Sequence, residues 1–299
     1  QHLSVLLLSI DIPLIDTGVD TAAESAIAAL ILVYMVAAWF NTRIPHTGVE
    51  MRPLRTNPSR NVLANTLALL PDFWACNNRL WRDKLGQISL STTTLFWGAG
   101  GNLKFIVLAW AAVALGYNTT QASALTGVVA IGTAVGAVVA SMRMRLDAAT
   151  KVIPLGIAMG LLLILMVFIN NIWLAIPFLI LLGGLGGYLV VPMNALLQHR
   201  GHNLMGAGRS IAVQNFNEQA CILGLGAFYS LSLKLGLSVF GAITAFGLVV
   251  AGTMWLIRRW HISNCHRHRE EVEHLLHIAR QDHHHGYGLA SKRMSPLQA

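Results

Sequence analysis

Residues 91–115 read STTTLFWGAGGNLKFIVLAWAAVAL and contain one charge, Lys104. At 1.5 Å per helical residue a block of this length crosses the roughly 30 Å hydrocarbon layer of a bilayer. Comparable apolar blocks fall at 21–40, 122–142, 152–169, 172–198, 208–235 and 237–258. The chain as a whole agrees with them: 55% of its residues are apolar, 11% are charged and its mean hydropathy is +0.57, too little polar cover for a soluble core. No lipid-facing strand alternation competes. Gly-rich runs such as Gly132-Thr133-Ala134-Val135-Gly136 suit helices packed closely in lipid. The pattern predicts an all-α membrane protein with seven spans.

A net charge of +8 raises the question of a nucleic-acid partner, and the placement of the 21 Lys and Arg residues answers it. Apart from Lys104 and Lys234, they occupy segment 41–90, the turn near 143–151, the flanks of one loop at Arg200 and Arg209, and the stretch from Arg258 onward. These are alternate loops on one side of the bilayer. The intervening loops are nearly neutral, and residues 1–24 carry Asp11, Asp16, Asp20 and Glu24. The positive-inside rule assigns the basic side, including the C-terminus, to the cytoplasm and leaves no basic surface that needs nucleic acid.

The connecting segments carry their own signals. Asn57 is placed to cap a helix beginning at Pro58, and Leu63, Leu67, Leu70, Trp74 and Trp81 recur near a 3.6 period beside Arg60, Arg79, Arg82 and Lys84. This reads as an interfacial helix within a cytoplasmic loop at 41–90, bent at Pro71, lying against membrane lipids. Segment 259–299 is His-rich: a short solvated helix near Glu270-Glu271-Val272-Glu273 is followed by His283-His284-His285 and an end expected to be disordered. The histidines lack metal-site spacing and Cys76, Cys221 and Cys265 are far apart, so free thiols and no metal or other cofactor are expected. Gln1 opens a stretch without the basic n-region or cleavage site of a signal peptide, and residues 1–20 read as the remnant of an outward-facing loop in a longer chain.

Ionisable groups inside a span are costly and mark candidate sites. Lys104 lies midway along its span, beside Asn102 and the glycines at 98, 100 and 101, and is expected to face a polar cavity. The run Gln214-Asn215-Phe216-Asn217-Glu218-Gln219 puts Gln214 and Glu218 on one helix face and Asn215 and Gln219 on the next. Two readings of Lys104 and Glu218 stay open. Either they form a structural ion pair, or Lys104 meets a substrate phosphate while Glu218 and the amides meet its amine or glycerol part. His199 and His202, at a helix end with Arg200, read as solvated or headgroup-facing. No nucleophile–base set or phosphate loop accompanies these groups, so the chain does not read as an enzyme.

Two blocks carry a family resemblance: Leu95-Phe96-Trp97-Gly98-Ala99-Gly100, and Val190-Val191-Pro192-Met193-Asn194-Ala195-Leu196-Leu197-Gln198 followed by Gly206-Ala207-Gly208 and Ala212-Val213-Gln214-Asn215. From about residue 21 to 259 the chain resembles helices 6 to 12 of the bacterial lysophospholipid transporter (LplT) family of the major facilitator superfamily. The resemblance implies a C-terminal six-helix half at 91–258, preceded by helix 6 at 21–40 and the inter-half loop at 41–90. It further implies movement of lysophospholipids, chiefly lysophosphatidylethanolamine, from the outer to the inner leaflet, where an acyltransferase reacylates them. Lys104, Asn102, Gln214, Asn215, Glu218 and Asn194 become the candidate substrate contacts. The family pattern needs an N-terminal half, so the 299 residues alone are expected not to transport. The alternative is a proton-coupled exporter of small amphipathic molecules with Glu218 as the proton carrier.

Overall fold

The computed structural model describes residues 22–43, 64 and 67–293, with side chains described as far as Gln281. The expected cap at Asn57 and Pro58, and Leu63, lie outside the described residues, as do the side chains of His283, His284 and His285. Among the described residues every regular element is helical. The chain divides into two compact units, Gln1–Pro58 and Ser59–Ala299.

In the first unit, α1 runs Ala22–Asn41. It ends in a turn closed by the Thr42 hydroxyl, which donates to the Trp39 carbonyl at 2.7 Å, with the Arg43 guanidinium 4.7 Å from the Trp39 ring centroid. An indole and a cation at the end of an apolar helix suit the boundary between lipid and water.

The second unit contains α2 (Leu70–Arg82), α3 (Gly86–Ala114), α4 (Thr119–Arg143), a 3-10 turn at Leu146–Val152 leading into α5 (Ile153–Met166), α6 (Ile172–Met205), α7 (Ala207–Lys234), α8 (Val239–Arg267) and α9 (Arg269–Arg293). Asn118 caps α4 with a reciprocal Gln121 bond, and Asn171 and Ser238 cap α6 and α8. Among the described residues, five elements are long and apolar enough to cross a membrane: α3, α4, the joined 3-10 turn and α5, α6, and α8. With 28 residues α7 is also long enough, but the polar run around Gln214–Gln219 keeps it outside that group. The protein is therefore a multi-pass membrane protein.

Helices α4 and α6 pack most closely, α5 lies on α8, and α3 sits centrally against α6, α7 and α8. Trp110, Ile106, Ile88, Leu179, Leu189 and Phe246 are fully buried between them. Outward-facing residues remain apolar: Met142, Phe168, Trp173 and Leu223 are each more than 70% exposed. Such a surface fits lipid rather than water.

Two expectations change. Pro71 starts α2 rather than bending it, because the first helical turn has no internal acceptor for the N–H that proline lacks. The tail is also more ordered than expected: α9 follows α8 after one residue and buries Val272, Leu275 and Ala279 against the unit. Arg280 Nε donates to Asp147 in the 3-10 turn at 3.0 Å. The apolar positions 272, 275 and 279 recur at helical spacing, which gives this tail helix a face to dock.

Candidate functional site

The polar centre of the second unit lies where α6 meets α7. Two α6 prolines, Pro177 and Pro192, interrupt its hydrogen-bond ladder, and Asn194 follows the second within a turn. Across from it, Gln214 and Glu218 project from one face of α7, as their i, i+4 spacing requires, and both are more than 90% buried. The Gln214 side-chain amide donates to Asn194 Oδ1 at 2.7 Å and to Glu218 Oε1 at 2.8 Å. One amide thus uses both hydrogens to join two acceptors, giving Asn194, Gln214 and Glu218 a single connected network. The Glu218 carboxylate has no cation within ion-pair distance among the described residues.

Asn102 serves a neighbouring contact. Its side-chain amide donates to the Gly98 carbonyl at 2.8 Å and the Ile222 carbonyl at 3.0 Å, strapping α3 to α7 one turn beyond Glu218. Lys104 lies elsewhere. Two residues further on, a helical rotation of about 200° turns it away from Asn102, toward α4. It borders a surface cleft of about 150 Å³ with Gly100, Leu103, Val107, Thr126, Val129 and Ala130, and its Nζ lies 4.8 Å from the Phe105 ring centroid. The cleft is more apolar than expected, and Lys104 and Glu218 form no ion pair. Asn215 is exposed on the face of α7 beside the network.

The structure therefore brings together three of the six candidate residues, places Asn102 beside them, and leaves Lys104 and Asn215 on other faces. It also gives partners to groups that the sequence reading left outside the candidate site. Asn217 donates to Asn77 of α2 at 2.8 Å, while Phe73 and Trp74 meet Phe216 edge-on, so the polar run of α7 holds α2 by its second face. Arg200, expected at a solvated end, is 5% exposed, with Nε 3.1 Å from Asp83 Oδ1 and Nη2 bonded to Oδ2. Asp83 also accepts from the Gly86 backbone at 2.6 Å and so fixes the start of α3. The available signal was that Asp83 is the lone acid between Asp72 and Asp147.

No protein-family model matches the chain, and no solved structure matches it. Curated relatives do. The chain is 36% identical over 243 residues to lysophospholipid transporter LplT of Escherichia coli O7:K1 (strain IAI39 / ExPEC), covering 79% of this chain and 58% of that protein. The identity and coverage are the same for lysophospholipid transporter LplT of Escherichia coli (strain K12 / DH10B). The chain thus spans somewhat over half the length of the curated relatives it matches. Within that aligned extent, the sequence is similar to proteins named as lysophospholipid transporters.

Proposed function

We propose that this chain forms the C-terminal half, with one preceding helix, of a major-facilitator-type transporter that moves lysophospholipids from the outer to the inner leaflet of a bacterial inner membrane. The observation that carries this reading is the 36% identity, over 79% of the chain, to proteins named as lysophospholipid transporters. The packed multi-helix unit supports it, and so does a buried hydrogen-bond network between α6 and α7, since polar groups within a span cluster along substrate paths. On this reading Asn194, Gln214 and Glu218 contact the amine or glycerol portion of the lysolipid, with Asn102 and Asn215 beside them. Lys104, on the α4-facing side of α3 and apart from that network, offers a point charge to a headgroup phosphate at a separate position on the path, without the two-pronged grip of arginine. The C-terminus is cytoplasmic, and the product serves an acyltransferase on the same side.

The test is leaflet-resolved uptake of labelled lysophosphatidylethanolamine in proteoliposomes. It compares this chain, a version extended at its N-terminus to the length of the relatives, and the extended Lys104→Ala variant. Uptake is expected only from the extended protein and to fall about tenfold or more in Lys104→Ala, the scale of losing one charge-assisted contact. Equal uptake by the short chain refutes the two-half reading, and unchanged uptake in the variant removes Lys104 from the path.

The burial of Glu218 against a neutral amide favours a second reading, a proton-coupled exporter of small amphipathic molecules. Glu218→Gln separates the two. Loss of dependence on a pH gradient supports the exporter; lysolipid movement that ignores the gradient supports the first reading.

A further inference from the structure

At one end of the second unit, the last turn of α2 and the short link into α3 lie against the final turns of α8. Trp81 stacks on Trp260 with ring centroids 6.3 Å apart and planes 11° from parallel. Beside the stack the buried Asn264 side chain donates to the Lys84 carbonyl at 3.5 Å. Positions 260, 264 and 267 share a helical face, so Arg267 follows Trp260 and Asn264 along that edge of α8. Arg259 lies on the adjoining outer face, its guanidinium 5.0 Å from the Trp255 ring centroid. Arg82, Arg259 and Arg267 are exposed and Lys84 is half-buried.

Four cations therefore lie on the two segments joined by the indole stack, within about two helical turns of it along the chain. None of them has a carboxylate partner among the described residues, and Asp83, the acid nearest in sequence to Arg82 and Lys84, is committed to Arg200. Below this basic rim the outer wall of α8 is apolar and open, with Leu248, Trp255 and Leu256 at 58%, 44% and 59% exposure.

We propose that this rim is a binding site for an anionic phospholipid of the adjoining leaflet. The headgroup phosphate sits among Arg82, Lys84, Arg259 and Arg267, the Trp81–Trp260 pair lies at headgroup depth, and an acyl chain follows Leu256 and Leu248. Cations attract an anionic lipid more strongly than a zwitterionic one, indoles settle at the lipid–water boundary, and the apolar wall gives a bilayer lipid an advantage over a soluble phosphate. The site lies on the outer wall of α8, apart from the α6–α7 network. It rests on the membrane reading of the protein and needs no transport step.

Native mass spectrometry of the detergent-solubilised chain, offered equal amounts of phosphatidylglycerol and phosphatidylcholine with matched acyl chains, tests the proposal. Phosphatidylglycerol should be retained preferentially and survive added glycerol phosphate, and the preference should fall about tenfold or more in Arg82→Gln/Arg259→Gln/Arg267→Gln. A charge-matched control, Arg143→Gln/Lys151→Gln/Arg258→Gln, removes three exposed cations from other positions and should leave the preference in place. Circular dichroism verifies that both variants keep their helices. Raising the salt concentration on the unsubstituted chain gives a readout independent of folding and should erode the preference. The proposal is overturned if the first variant keeps its preference, if the control loses as much, if glycerol phosphate displaces the lipid, or if salt has no effect. Because the readout is binding, its failure leaves the transport reading untouched, and a failed transport assay does not bear on it.

Discussion

Gly136→Ala probes the contact on which the α4–α6 pair depends. A Cβ at Gly136 would fall inside the contact radius of the Gly184 carbonyl oxygen, 2.7 Å from its carbonyl carbon and 2.9 Å from its Cα. Carbon atoms rest comfortably at about 3.5–4.0 Å, so the added methyl is about 1 Å too close to backbone that cannot rotate aside. The helices must part, and the gap spreads along the seam. Gly132 faces the Ile180 backbone, Gly183 the Val129 carbonyl and Thr133, and Gly187 the Thr133 carbonyl and the Ala137 nitrogen. Overpacking of this kind costs about 1–3 kcal/mol. In lipid, where helix association draws mainly on van der Waals contact, little offsets the loss. Gly127, on the same helix, has nothing within 4 Å of its virtual Cβ. Gly127→Ala should therefore be neutral or stabilise by up to about 1 kcal/mol through helix propensity. Unfolding in mixed micelles titrated with sodium dodecyl sulfate, followed by far-UV circular dichroism, should show a lowered midpoint for Gly136→Ala and an unchanged or raised one for Gly127→Ala. A neutral Gly136→Ala, or an equal loss in Gly127→Ala, refutes the close-packing argument.

The Asp83–Arg200 pair, with side chains only 7% and 6% exposed, should show strong coupling in the same assay. Asp83→Ala is expected to cost about 3–5 kcal/mol by leaving a buried guanidinium unpaired, while Asp83→Leu combined with Arg200→Met should recover most of that loss. Single and double variants of equal stability would show that the pair is solvated. For the tail helix, Val272→Asp should free α9 and raise amide hydrogen exchange in the 3-10 turn at Leu146–Val152, because Val272 is 3% exposed. Arg280→Ala should have a far smaller effect, under about 1 kcal/mol, since Arg280 is 57% exposed in its pair with Asp147. Reversed magnitudes would mean that charge, rather than the apolar face, holds the tail.

Local patterns made much of the architecture legible. The apolar block at 172–198 lies within α6, and that at 237–258 lies within α8 apart from its first two residues, yet both helices continue well past them, to Met205 and Arg267. Hydropathy ends where lipid contact would end, whereas a helix continues while its backbone bonds and packing continue to be favourable. The site was less legible for a related reason. Gln214 and Glu218 share a face by spacing alone, but their joining to Asn194 depends on how α6 crosses α7, which depends on residues remote in sequence. Asn102 and Lys104 are near neighbours in the chain and face different helices, so proximity in sequence misled where helical angle decided.

By itself, the sequence determined an all-helical multi-pass membrane protein and its resemblance to lysophospholipid transporters, because block length, apolarity and matched residues are local properties that survive without coordinates. Tertiary structure alone decided that Lys104 and Glu218 stand apart, that Arg200 is buried against Asp83, that the tail docks through Val272 and Leu275, and that α4 and α6 meet at their glycines. Each of those outcomes is a relation between helices, set by close packing of whole faces and by pairing of costly buried polar groups. Neither constraint can be read along a single strand of text.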